Sequence, residues 1–142
     1  LNPAPPEPGT VFRYAYLWSR EDDRGQEEGQ KDRPALVLAI AISETKIAAL
    51  AITHSPPANR DDAIVLPRQV KKALGLDDRP SWVVLTEANV FTWPGPDIRN
   101  IPGTEPPTPI YGRIPSGLFK TIVQSALEIR RRKRLRLVTR TE

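Results

Sequence analysis

The 142-residue chain has no cysteine, no methionine and a single histidine. Without cysteine there is no disulfide, no thiolate nucleophile and no thiolate metal ligand. That absence fits the cytoplasm, where the protein is expected to work. One histidine, His54, excludes two-histidine metal sites and paired-imidazole acid–base chemistry. Methionine is missing even at position 1, so the native chain is expected to begin upstream. No run approaches the ~18 apolar residues of a membrane span. No apolar region follows a basic start, so no signal peptide is expected. The eight glycines match neither standard phosphate-cradling spacing, and there is no G-x-S-x-G nucleophile turn.

Charge is present but unevenly placed. Residues 130–142 carry seven Lys/Arg and one Glu, a net of +6, while the whole chain sums to +4, leaving −2 for the first 129 residues. Basicity is thus a property of the tail, and it suits a polyanion or an acidic protein partner. The plainer account is a solvated helix end with cations near its C-terminus.

Residues 2–9 hold four prolines and read as an extended, flexible arm. Residues 10–18 (TVFRYAYLW) are β-branched and aromatic and predict a strand. Phe12, Tyr14, Tyr16 and Trp18 share one face, as a core-packing stripe would. Residues 19–32 form a polar, acidic loop far longer than a hairpin needs. Residues 34–42 and 46–53 are nearly all apolar, as strands buried on both faces are. A short strand is expected at 63–66. Pro67 then opens a short helix that Gly75 stops. Further strands are expected at 81–86, 90–93 and 110–114, with a proline-rich loop over 94–109. Leu118, Ile122, Ala126 and Ile129 recur at helical spacing, so a final helix packs to about Ile129. Beyond it the tail continues as exposed helix or frays. These elements predict a mainly β single domain, a compact barrel or small sandwich, over residues 10–129, between the arm (1–9) and the basic tail (130–142).

The candidate chemistry lies where the two apolar strands meet their loops. Pro34 fixes its own φ and pushes Arg33 into extended geometry, so Arg33 stands at a loop–strand junction. If residues 34–42 and 46–53 pair as a hairpin, Arg33, Thr53 and His54 gather at one sheet end. Arginine presents a planar fork and a permanent charge to a phosphodiester. It stabilises charge on a pentacovalent phosphorus and cannot act as a base. Thr53 can hold a phosphate oxygen or a ribose hydroxyl. Proton transfer falls to His54, Glu27, Glu87 or another carboxylate. Such a set can cleave RNA without a metal, because the ribose 2′-OH attacks its own phosphate; DNA lacks that hydroxyl. The bland alternative is a solvated arginine and a strand-end threonine. A metal held by His54, Asp61 and Asp62 is a weaker reading.

The order Gly9-Thr10-Val11-Phe12, acidic glycine-bearing loop, Arg33-Pro34-Ala35-Leu36-Val37-Leu38, and a strand ending Ile52-Thr53 resembles the MazF/PemK/Kid toxins of bacterial toxin–antitoxin systems. The similarity is densest over residues 9–53 and continues loosely to about residue 129. It implies an SH3-like small β-barrel (the CcdB/PemK-like fold) with a short internal helix and a C-terminal helix. It implies a metal-independent, sequence-selective endoribonuclease that needs no cofactor, acts as a homodimer and is restrained by a cognate antitoxin. Under it, Arg33 and Thr53 are the catalytic pair, with Glu27, Glu87 or His54 moving protons. Lys31, Arg130, Arg131, Arg132 and Lys133 are the expected RNA contacts. The chain departs from the family pattern after the fourth main strand. There Leu85-Thr86-Glu87 offers no arginine, and Glu87 replaces an aspartate. The alternative is a non-enzymatic binder on the same fold, either a gyrase poison or an RNA-binding regulator.

Overall fold

The computed structural model describes residues 5–16, 32–41 and 45–139. It is mainly β, with eight strands and two helices. Strand β1 (Thr10–Ala15) pairs antiparallel with β2 (Asp32–Ala41), setting Val11 opposite Leu36 and Tyr14 opposite Arg33. β2 pairs in turn with β3 (Lys46–Thr53). The expected hairpin is therefore present, although residues 42–44 at its turn lie outside the described residues.

Alternation along these strands feeds two cores. Val11, Leu36 and Leu50 face one, with Leu85, Ile122 and Ile129. Phe12, Tyr14, Tyr16, Val37, Phe91 and Trp93 fill the other. The aromatic face of β1 thus packs as core, as its spacing predicts. Tyr14 stacks on Phe91 at 4.6 Å, and Trp93 meets Phe12 edge-on at 5.6 Å. Each such burial contributes roughly 1.5–3 kcal/mol. Trp18 lies outside the described residues. Two-faced burial holds for β2 only through Ala35, Leu36 and Val37. The register then shifts between Val37 and Ala39, and Ala39 is exposed.

The edge of β3 opposite β2 is shared by two strands. β5 (Trp82–Val84) takes its C-terminal end, Thr53 opposite Trp82, and β6 (Glu87–Thr92) takes its N-terminal half. Glu87 accordingly begins a strand, so residues 87–89 belong to β6 rather than to the link expected before a strand at 90–93. β4 (Ala63–Val65) pairs with β5. Helix α1 (Arg68–Leu74) follows Pro67 and ends on Gly75 in the left-handed region, φ 76°. β7 (Ile110–Arg113) lines the other edge of β1. The strand path runs β4-β5-β3-β2-β1-β7 and does not close. Instead of a β4–β7 ladder, α1 lies against β7. Leu74 Cδ2 sits 3.1 Å from where a Cβ on Gly112 would stand.

The proline-rich segment lies along β1 beyond β7. The Ala15 N–H donates to Asp97 O (2.9 Å) and the Arg13 N–H to Pro109 O (2.8 Å). The end of the proline-rich arm is tied down as well. The Gly9 N–H donates to Val37 O (2.8 Å), and Glu7 pairs with Arg113 at 2.8 Å.

Helix α2 (Ser116–Arg131) buries Ile122, Ala126 and Ile129, the stripe its spacing predicts. The tail departs from expectation. The chain reverses at Lys133 (φ 58°) and forms β8 (Arg136–Thr139), parallel to β6, with Val138 buried. The Arg/Leu alternation over residues 134–137 does not foretell this strand, because Leu137 is exposed and Val138, on the other face, is buried. Among the described residues no helix is long and apolar enough to cross a membrane.

Candidate functional site

Continuing the β2–β3 register outward from Ala35 opposite Ala51 sets Arg33 across from Thr53. Both residues line two cavities at once, of about 440 and 410 Å³. With Ser55 they are the residues common to both cavities, and so make the wall they share. Thr53 Oγ1 accepts the Ser55 N–H at 3.1 Å, a turn that fixes its rotamer and leaves its proton to donate.

The larger cavity is built from β2, the end of β3 and the 75–81 loop after α1. His54 lies in it and is hydrogen-bonded through Nε2 to the Asp77 carboxylate, 2.9 Å at the closer oxygen. Lys71, only 5% exposed, reaches the same carboxylate at 3.0 Å and donates to Arg79 O. The Arg79 N–H donates to Asp77 as well, at 3.1 Å. Burial pushes the Asp77 carboxyl up, but the hydrogen bonds from Lys71, His54 and the Arg79 backbone outweigh it and hold it at about 2. The carboxylate is therefore an acceptor only. Arg13, Arg33, Lys71 and Arg79 face Asp32 and Asp77 around this cavity, a cationic surplus that suits a phosphate.

The smaller cavity holds Glu87. Its side chain is carried on the first residue of β6, and the residue is 8% exposed. The Tyr16 hydroxyl donates to Glu87 O at 3.1 Å. Burial raises the Tyr16 phenol well above its ordinary value, the Glu87 charge adds to that, and Arg33 partly offsets it. Tyr16 thus sits in the field of both residues and stays protonated.

Of the expected acid–base groups, Glu87 and His54 come to the Arg33–Thr53 wall, one in each cavity. Glu27 and Lys31 lie outside the described residues. His54 meets Asp77 rather than Asp61 or Asp62, and Asp62 is paired with Arg134 at 2.5 Å. Among the described residues no cluster of His and carboxylates suited to a metal occurs. At the end of α2, Arg131 and Arg132 both hold Glu128, at 2.6 and 3.0 Å, and all four of Arg130, Arg131, Arg132 and Lys133 are exposed. Besides Arg33, which lines the smaller cavity, two cations outside the expected RNA contacts adjoin its lining residues. Arg134 pairs with Asp62 on its wall, and Arg136 is registered opposite Glu87. Asp77 and Lys71 were also missed. No local motif marks a loop aspartate 23 positions from the histidine it holds.

No family model matches the chain, and no curated protein or solved structure is significantly similar to it.

Proposed function

We propose that the protein is a metal-independent, sequence-selective endoribonuclease, the toxin component of a type II toxin–antitoxin pair. The observation that carries this is the wall of Arg33 and Thr53 between two cavities, with a carboxylate in one and an imidazole in the other. In-line displacement at phosphorus needs a base and an acid on opposite sides of the phosphate. Arg33 and Thr53 hold the non-bridging oxygens. The ribose 2′-oxygen attacks the adjacent phosphorus as its proton passes to the Glu87 carboxylate. The P–O5′ bond breaks, its electron pair leaves on the 5′-oxygen, and His54 supplies the proton. The products are a 2′,3′-cyclic phosphate and a 5′-hydroxyl. Arg33 stabilises the charge that builds on the phosphoryl oxygens.

The resemblance of residues 9–53 to the MazF/PemK/Kid toxins supports the same reading. With it come an SH3-like, PemK-type arrangement in open form, a homodimer and a cognate antitoxin that restrains the enzyme. Arg134 and Arg136 beside the smaller cavity supply sequence-independent affinity for the RNA backbone.

The test is incubation of purified protein with mixed-sequence RNA in excess EDTA, with product ends mapped. Discrete cuts with cyclic phosphate ends are expected. Arg33→Ala should lower kcat by roughly 10²–10³, the usual loss when a charge-stabilising donor is removed. Full activity in Arg33→Ala refutes the assignment. No cutting by folded wild-type protein favours a binding protein on the same fold.

A further inference from the structure

The proposed reaction leaves Asp77 and Lys71 unused, yet with His54 they form a connected polar group in the larger cavity. One carboxylate takes the imidazole Nε2, a nearly buried ammonium and a backbone N–H. Lys71 is a costly residue to bury, and a buried cation persists when it is paired. Here its two acceptors, Asp77 and the Arg79 carbonyl, keep the 75–81 loop against α1 and so fix where the carboxylate stands. A carboxylate that only accepts requires a proton on the nitrogen it faces. Nε2 of His54 must therefore carry hydrogen whenever this contact is made, and Nδ1 is left as the ring atom that can gain or lose one.

We infer that Asp77, itself held by Lys71, is a positioning residue that makes Nδ1 of His54 the atom delivering the proton to the departing 5′-oxygen. This rests on the endoribonuclease reading for its substrate, but the tautomer it requires does not. Before the step the ring carries protons on both nitrogens, and its Nε2–H faces the Asp77 carboxylate that it shares with Lys71. As P–O5′ breaks, the Nδ1 proton passes to the 5′-oxygen, and the neutral ring remains with hydrogen on Nε2.

Because His54 is the only histidine, its ring nitrogens can be read in a ¹⁵N-labelled sample without ambiguity. In the neutral ring, wild type should show hydrogen on Nε2, Asp77→Asn should lose that preference, and Asp78→Asn, the neighbouring exposed carboxylate, should keep it. A wild-type ring with hydrogen on Nδ1, or an Asp77→Asn ring unchanged from wild type, overturns the inference. In cleavage, Asp77→Asn should lower kcat about 100-fold with KM little changed. RNA carrying sulfur in place of the 5′-bridging oxygen tests the proton itself, since a thiolate leaves without one. That substrate should restore cutting by Asp77→Asn and His54→Ala but not by Glu87→Ala. Equal loss on both substrates overturns the assignment of His54 as proton donor. If wild-type protein cuts no RNA, the endoribonuclease reading fails while the nitrogen spectra still decide whether Asp77 sets the tautomer.

Discussion

Val138 and Leu137 are adjacent in the basic tail, yet β8 assigns them opposite fates. Val138 is 5% exposed and Leu137 is 64% exposed. A solvated tail makes aspartate harmless at both positions. A strand paired in register with β6, with Val138 opposite Asn89, makes it harmful at one. Val138→Asp loses the transfer free energy of a buried valine, about 1.5–2 kcal/mol. It also places a carboxylate where water is excluded, adding a desolvation cost of about 1–3 kcal/mol. Release of β8 from the sheet limits the total, so a loss of about 3 kcal/mol is expected. For a domain of this size each kcal/mol moves Tm by about 3 °C, so the fall should be about 10 °C. Leu137→Asp should melt within about 2 °C of wild type, as surface changes do. The assay is thermal unfolding followed by circular dichroism, with both variants side by side. Equal melting temperatures would refute the strand pairing, and with it the placing of Arg134 and Arg136 beside the smaller cavity.

Three further outcomes follow from the same contacts. Arg134→Ala and Arg136→Ala should each reduce the slope of log affinity against log salt for RNA binding by about 1, uniformly across sequences, as measured by titration at several salt concentrations. Unchanged slopes would remove these residues from the RNA path. Asp77 lies at about 2 when folded against 3.8 as its ordinary value. Its folded value is depressed, so its contribution is present above about pH 4 and lost as pH falls through about 2. With its side chain half exposed, that contribution is discounted to about 1 kcal/mol. Denaturant titrations of wild type and Asp77→Asn should therefore converge across that window, and a constant gap would argue against the pairing. Gly112 sits at φ 145° under Leu74. Gly112→Ala should cost about 2 kcal/mol, whereas Gly103→Ala, at φ 79° in open space, tests the backbone part of that cost alone.

Much of the scaffold was written locally. The alternation of Phe12, Tyr14 and Tyr16, the apolar runs of β2 and β3, the Pro67 and Gly75 limits of α1 and the stripe of α2 all depend on periods of two or 3.6 residues and on proline and glycine backbones. Those preferences act within a few residues, so they are visible in a single chain. The junction of Arg33 with Thr53 was legible for the same reason, because one antiparallel register joins them.

What the sequence determined by itself, then, is both helices and the strands other than β8, the two-faced burial of β3 and of residues 35–37 in β2, and the arginine–threonine pair at their end. Tertiary structure alone decided three things. It left the strand path open, because α1 lies on β7 where a ladder to β4 would close it. It drew the tail into the sheet as β8, because β6 had an unpaired edge and Val138 a place in the core. It brought Asp77 and Lys71 to His54 across a loop whose composition carries no such signal. Each of these depends on contacts between residues far apart in the chain. Their energies come from burial and hydrogen bonding at a meeting point that no local pattern encodes.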